Sequence, residues 1–400
     1  MKDGLFSPAY FEDPYPYYKY LREHEPIFYD DRIGWMVTRY SDVRGLSRDA
    51  RLSRGGLEAR RLVGLSDAVQ AAAEPVMDGL SLEMMRRDDP DHARLRALVN
   101  RAFTTEMVAR LRPRIQELID DLLDKVQDQR WNLMQDFAYP LPAMVIMELL
   151  GIPLADRDQL KRWTADRIAF LGSIRSVPDP LQVARNAAQS AGLMDAYFNR
   201  LISERRAKPK DDLVSVLLTG AEGERLNEAE IVANCSLLLS AGHETTTNLI
   251  GNGLLALLRN PQQMKALRDD PQRTANAVEE LVRFDCPVQL APRAAAGEIR
   301  IGMARISEGD RVMLMLGSAN RDPDQFTDPD KLDVERLPTT HLSFGFDRHF
   351  CLGAHLARAE AELAIRTLLS RFPRIELDGP PVWASNIAYR GMSELFIKSA

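Results

Sequence analysis

Apolar positions recur with helical period through most of this chain and with strand period only in short pieces. The longest helical stretch, 227–259, is apolar over most of its circumference and therefore predicts a buried helix. Further helices are predicted at 13–24, 41–46 with Ser41 as cap, 91–103, 107–128, 142–149, 154–171, 181–206, 211–218, 275–284 and from Cys351 to about Arg371. Arg175 to Pro180 carries two prolines and separates two of these helices, and 220–224 reads as a loop. Residues 27–29 and 35–38 predict a β-hairpin, and 299–301, 311–316 and 374–377 predict short strands. Between Leu62 and Met85 small residues and methionines blur any period, so this region is expected to be a mobile loop with a short helix.

Four hundred residues, 45% of them hydrophobic, can bury a large core, although length alone allows two or three domains. The longest apolar run, 231–242, contains Asn234 and stops at His243, too short and too polar to span a bilayer. The N-terminus has no apolar leader pattern, and a soluble protein is expected. Cys235, Cys286 and Cys351 are far apart and odd in number, which supports neither a disulfide framework nor a zinc knuckle and fits a reducing cytoplasm. For Cys235 and Cys286 the expected role is packing. Net charge is −6, yet residues 86–114 carry eight arginines against four acids. A basic face on an acidic protein can steer an acidic partner; no recognition motif accompanies the arginines, so nucleic acid is not expected.

The chemistry concentrates in Ser343-Phe344-Gly345-Phe346-Asp347-Arg348-His349-Phe350-Cys351-Leu352-Gly353-Ala354. A cysteine at the mouth of a helix, beside Arg348 and His349, is placed to favour the thiolate, and Gly353 lets the backbone pass close to whatever lies beneath it. The spacing Phe-Gly-x-x-x-His-x-Cys-x-Gly resembles the haem loop of the cytochrome P-450 family. One position departs: Asp347 stands where that family usually has a second glycine, and aspartate tolerates left-handed backbone better than most residues.

The resemblance extends over most of the chain. Within the long predicted helix, Ala241-Gly242-His243-Glu244-Thr245-Thr246-Thr247 is an odd choice for a helix interior, because glycine and consecutive β-branched residues disfavour it. Such rule-breaking points to function, and Gly242 permits a local bulge. The family uses the acid–alcohol pair, here Glu244 and Thr245, to deliver protons to oxygen. Two lookalikes in this helix fail: the His-Glu start lacks the second histidine of a zinc protease, and Gly251-Asn252-Gly253 lacks the preceding strand of a dinucleotide site. Glu280 and Arg283, with Arg336 later, resemble the family's Glu-x-x-Arg and its partner arginine, which lock the loop that positions haem.

The resemblance implies a single 1–400 domain of mainly α (α+β) class, with a large helical part, a small β-rich lobe and haem b between the long helix and the Cys351 loop. It implies Cys351 as iron ligand, Phe344 and Gly353 beside the haem, and His92, Arg96, Arg293 and His349 against its propionates. Leu237, Ser240, Ala241, Val288, Gln289, Leu290, Tyr389 and Met392 would line an apolar substrate site; Arg390 is expected to be structural, with a substrate carboxylate as the other possibility. The implied reaction inserts one atom of dioxygen into an apolar small molecule, such as a polyketide, terpenoid, steroid or aromatic compound. Electrons would come from NAD(P)H through ferredoxin reductase and ferredoxin, docked on the arginine-rich helix (Arg94, Arg101) with Arg348, His355 and Arg358. A cytoplasmic monomer is expected. Oxidative coupling or dehydrogenation by a member of the same family, and a non-catalytic haem sensor or carrier, are the alternatives.

Overall fold

The computed structural model describes residues 4–399 apart from 6, 58–61, 63, 101–102, 127, 175–176, 220–225 and 338–339. Arg101, Arg175 and the expected 220–224 loop therefore lie outside the described residues.

The helix Glu228–Arg259 runs through the middle of the molecule. Asn227 caps it: its side chain accepts from the Glu230 N–H while the Glu230 carboxylate accepts from the Asn227 N–H, a reciprocal capping box. At 1.5 Å per residue, 32 residues span about 48 Å. The helices Pro140–Leu150, Pro180–Ala207, Thr274–Phe284 and Ala354–Arg371 pack around it, which explains why its apolar positions run all the way round. Asn234, on its first turns, accepts from the Met84 N–H and donates to the Leu82 carbonyl, tying residues 82–84 to the helix.

The β structure is peripheral. Ile27–Asp30 and Gly34–Val37 form the predicted hairpin; Gly34–Val37 then runs parallel to Arg311–Leu314, which pairs antiparallel with Ala291–Ala295, and Leu52–Ser53 closes the five-stranded sheet. Phe396–Ser399 lies between Arg130–Asn132 and Ile375–Leu377 in a three-stranded sheet.

Three local expectations need correction. Residues 62–85 hold a helix, Asp67–Ser81, whose Val69, Ala73, Val76 and Leu80 are buried against Phe170, Ala184 and Ala187. The small residues that hid its period are what allow this close packing. Ser41 is not a cap, since the helix starts at Tyr40, whose N–H donates to Asp322 Oδ2 at 2.8 Å. Gly242 makes no bulge: the long helix is continuous there, and a Cβ on Gly242 would sit 2.9 Å from Ile146 Cγ1. The glycine thus lets Pro140–Leu150 approach closely. Cys235 and Cys286 are buried packing residues, and burial pushes both thiols up to about 12.

Candidate active site

A cavity of about 400 Å³ lies between the long helix and the cysteine loop. One face of the helix (Leu237, Ser240, Ala241, Glu244, Thr245) forms one wall, at the three-to-four spacing that one helix side requires. The loop supplies Phe344, Gly345, His349, Cys351 and Gly353, and the extended segment after Thr274–Phe284 supplies Val288 and Leu290. Tyr389 comes from a C-terminal turn joined to that segment by the Val288–Tyr389 bridge.

The loop is shaped by its own backbone. Gly345 and Asp347 take left-handed φ of 74° and 61°, so aspartate does occupy the conformation expected of glycine. The Cys351 N–H donates to Phe344 O at 2.7 Å and the Phe350 N–H to Asp347 O at 2.9 Å. Arg96 then fastens the loop from outside, with Nη1 donating to Arg348 O at 2.9 Å and Nη2 to Phe350 O at 2.6 Å.

Cys351 opens on the cavity yet sits deep among protein atoms. Burial pushes its thiol up, while the Gly353 N–H and the charges of Arg96 and Arg358 oppose this. The cations expected from sequence are not the ones that act. Arg348 Nη1 bonds Asp89 Oδ2 at 3.2 Å, and His349 is held neutral. Burial, then Arg54, Arg293, His92 and Arg348, push the His349 imidazole down to about 2.

The basic residues around the loop test whether haem fits. Arg293 is 4% exposed, and among the described residues its guanidinium makes one hydrogen bond, to the carbonyl of Pro292. Burial and the charges of Arg54 and Arg348 hold it well below the arginine range, with Asp88 in opposition. Its neighbours Ala291 and Pro292 line the cavity, whereas Arg293 itself does not. His92, 3% exposed, lies 4.3 Å ring to ring from His349, and burial and Arg96 push it down as well. A guanidinium buried as deeply as that of Arg293 costs several kcal/mol unless anions join it, and the two carboxylates of haem are such anions. A Cβ on Gly353 would meet nothing within 4 Å, so the space beside the thiol is open. The residues fit haem: Cys351 would hold the iron, His92, Arg96 and His349 would face the carboxylates, and Arg293, behind the cavity lining, would act on them through its charge.

Arg54 belongs to this group and was not found from sequence. It lines the cavity because Ser53 pairs with Ala294 across the sheet, a register that no local pattern reveals. Glu360 was also missed. It lines the cavity from the helix Ala354–Arg371, is 1% exposed with Oε2 unpartnered among the described residues, and burial holds its carboxyl well above the usual range. One charged residue on the otherwise apolar face of Leu356, Leu363 and Ala364 was the available signal.

Two expected lining residues lie elsewhere. Gln289 points away, as alternation along an extended segment requires with Val288 and Leu290 facing in; its Nε2 donates to Cys286 O at 2.6 Å. Met392 is packed in the core near Met134, beside Gly251. On the helix, Thr245 Oγ1 donates to Ala241 O at 3.0 Å. The charge of Glu244 reaches Lys161 and Tyr139, and its neighbour His243 is buried with Nδ1 2.6 Å from Leu239 O.

Behind the loop, Glu280 accepts from Arg283 Nε at 2.7 Å and Nη2 at 2.8 Å, from Arg336 Nε at 3.1 Å and from the Asp333 N–H at 3.0 Å. Arg283, with a side chain 0% exposed, also bonds Asn320 O, and Asn320 in turn bonds Ser343 Oγ and the Leu342 N–H. The three charged residues are thus wired to the start of the cysteine loop. Arg358, expected on an outer docking face, is committed inward: it pairs with Glu279 and lies 4.4 Å over the Phe344 ring. Arg390 is structural, bonded to Asp285 at 2.6 Å and to two backbone carbonyls.

The family profile named Cytochrome P450 matches residues 76–382. The chain belongs to the cytochrome P450 family. It is 39% identical to the biotin biosynthesis cytochrome P450 of Bacillus subtilis (strain 168) over 93% of this chain and 92% of that one. It is 38% identical to the cytochrome P450 monooxygenase PikC of Streptomyces venezuelae over 99% and 93%. Among solved structures, P450BioI in complex with a hexadec-9Z-enoic acid ligated acyl carrier protein superposes with TM-score 0.90 at 37% identity, over 98% of this chain and 100% of that one. The Bacillus subtilis cytochrome P450 PksS superposes with TM-score 0.87 at 36% identity, over 98% of each chain. The fold is the cytochrome P450 fold, and the protein is an oxidoreductase of the monooxygenase class that uses haem, a small-molecule substrate and redox partners. Among the described residues, no helix is long and apolar enough to cross a membrane.

Proposed function

We propose that this cytochrome P450 hydroxylates or epoxidises an apolar natural product of medium or large size, with haem b held through Cys351 and electrons passed from NAD(P)H by a separate ferredoxin and its reductase. The observation that carries this reading is the alignment across one cavity of a thiol at a helix mouth, a buried cationic group suited to two carboxylates, and an acid–alcohol pair on the opposite helix. When bound, haem supplies the iron at which dioxygen is activated by two electrons and two protons.

The chain's own residues account for the rest. The Cys351 thiolate would hold the iron and would supply it with an electron-rich sulfur ligand. Thr245 has a hydroxyl that can turn from the Ala241 carbonyl toward the cavity, and Glu244 beside it can pass protons without opening the site to bulk water. Apolar side chains including Leu237, Val288 and Leu290 suit an apolar substrate, which is the usual composition of such pockets. Two relatives carry names of this kind, PksS of polyketide biosynthesis and a vitamin D(3) 25-hydroxylase. Ferredoxin would dock where the helices Thr105–Leu123 and Ala354–Arg371 pack together behind the cysteine loop, with Arg110, Arg348 and His355 at the surface. A monomer in a reducing cytoplasm suits the three free cysteines.

The deciding experiment is the absorption spectrum of the purified, reduced protein under carbon monoxide. A red-shifted thiolate-type band that disappears in Cys351→Ser supports the reading; a band unchanged by the substitution overturns it. Substrate-dependent NADPH consumption with ferredoxin partners then separates an enzyme from a haem carrier.

A further inference from the structure

One group in the cavity wall has no part in holding haem or moving protons. Arg167, on the helix Arg157–Ser173, lines the cavity together with Arg86. Both converge on Glu83: Arg86 Nε donates to Glu83 Oε2 at 2.9 Å, and Arg167 Nη2 donates to Glu83 Oε1. Glu83 is 1% exposed and Arg86 is 6% exposed, so a single buried carboxylate serves two guanidiniums. Arg167 is the less satisfied of the two. Its Nε is buried and has no hydrogen-bond partner among the described residues, and its side chain is only 13% exposed. Asp195, whose carboxyl feels its charge, is solvent-exposed and forms no ion pair with it among the described residues. A buried donor left unpaired is costly, more so on a charged group, and an acceptor that enters with the ligand would relieve that cost.

The position of the cluster in the cavity defines what that ligand looks like. The segment carrying Glu83 is tied to Asn234 through Met84 and Leu82. Asn234 lies eleven residues before Thr245 on the same continuous helix, which at 1.5 Å per residue is about 16 Å along its axis. Between these two levels the helix presents Leu237, Leu238 and Ala241 to the cavity. A molecule held by Arg167 therefore extends along apolar wall before it reaches the Glu244–Thr245 level.

We propose that Arg167 is a specificity-determining residue that binds a carboxylate at one end of an elongated apolar substrate, setting which distant carbon is presented for oxidation. This rests on the haem-thiolate reading above and narrows its substrate class. Arg390, which by residue type alone could take such a carboxylate, is occupied by Asp285, whereas Arg167 lines the cavity and among the described residues commits only Nη2, to Glu83.

The test uses the haem-loaded protein, first verified by its carbon monoxide band. Spectral-shift titrations are made with octanoate, dodecanoate and hexadecanoate and with their methyl esters, on wild type and on Arg167→Gln and Arg167→Lys. A hydrogen bond to a charged group is worth about 1.5–3 kcal/mol, roughly a tenfold to hundredfold difference in Kd. Wild type is expected to bind at least one of the longer acids that much more tightly than its ester. Arg167→Gln should remove the preference while leaving ester binding unchanged, and Arg167→Lys should retain part of it. Equal binding of acids and esters by wild type, or an equal loss of both in Arg167→Gln, overturns the assignment. A protein without the carbon monoxide band would instead overturn the haem-thiolate reading, so the two failures are distinguishable.

Discussion

Replacing Glu280 by glutamine changes one atom and removes one charge at the point where the cysteine loop is anchored. In the native protein both carboxylate oxygens are fully used: Oε1 accepts from Arg283 Nη2 and the Asp333 N–H, and Oε2 accepts from Arg283 Nε and Arg336 Nε. Whichever way the glutamine amide is turned, its NH2 faces two N–H donors. Two guanidiniums are also left without a counter-charge, one 0% exposed and the other 13% exposed. Breaking a buried ion pair from one side costs about 3–5 kcal/mol. That loss passes through Asn320 to Ser343 and Leu342, so the loop should loosen and haem retention should fall. The assays are urea unfolding of matched preparations and haem content per chain. Arg336→Met is the control: its partly exposed guanidinium leaves Glu280 still paired with Arg283, so it should cost less, and the double variant should cost less than the sum of the two. Glu280→Gln with full haem content and less than about 1 kcal/mol of lost stability would refute the argued coupling.

Three further outcomes are expected. Burial raises and the hydrogen bonds of His341 and Arg358 lower the Glu279 carboxyl, for a net fall from the ordinary 4.5 to about 2. The unfolded chain then takes up the proton first on acidification, so this stabilisation is complete above about pH 4.5 and is lost as pH falls toward 2, amounting to about 3 kcal/mol; Glu279→Gln should flatten that limb of the stability–pH curve, and an unchanged limb would contradict it. Thr245→Ala should leave the unfolding midpoint nearly unchanged, because among the described residues Thr245 Oγ1 bonds only within its own helix, while product formed per reducing equivalent consumed falls about a hundredfold, the low end of the usual range for a lost proton-transfer group. Arg110→Glu should slow reduction by ferredoxin at low salt and leave substrate spectral shifts alone; equal reduction rates would remove Arg110 from the docking face. Arg94, the more obvious choice from sequence, is unsuitable because it pairs with Glu230 of the capping box, and reversing it would disturb the long helix itself.

What could be read from the chain depended on how local its physical cause was. The Cys351 loop was legible because its turns, its aspartate in left-handed conformation and its position at a helix mouth are written in twelve consecutive residues. The hairpin of residues 27–30 and 34–37 was legible for the same reason. Arg54 was not, because its place beside Arg293 follows from a two-residue strand pairing across some 240 positions of sequence. Gln289 and Met392 were misplaced because naming an extended segment does not say which alternate residue faces inward, and the Val288–Tyr389 bridge decides it. The helix Asp67–Ser81 was expected only as a short piece of a mobile loop, because alanines and methionines carry little amphipathic contrast until the helix they pack against is known.

The same distinction explains why the charges around the thiol were misjudged while the thiol itself was found. Arg348 and His349 are its neighbours in sequence, but one is spent on Asp89 and the other is kept neutral by burial and by the cations around it. The groups that oppose the burial of Cys351 are Arg96, fixed by two loop carbonyls, and Arg358, fixed by Glu279. Each is oriented by a partner on another element, and each also braces the loop, Arg96 through its backbone and Arg358 through the Phe344 ring. The electrostatics of the thiol and the shape of its loop therefore rest on the same side chains. Substituting either arginine should disturb both together, whereas removing Arg348 should affect neither to the same degree.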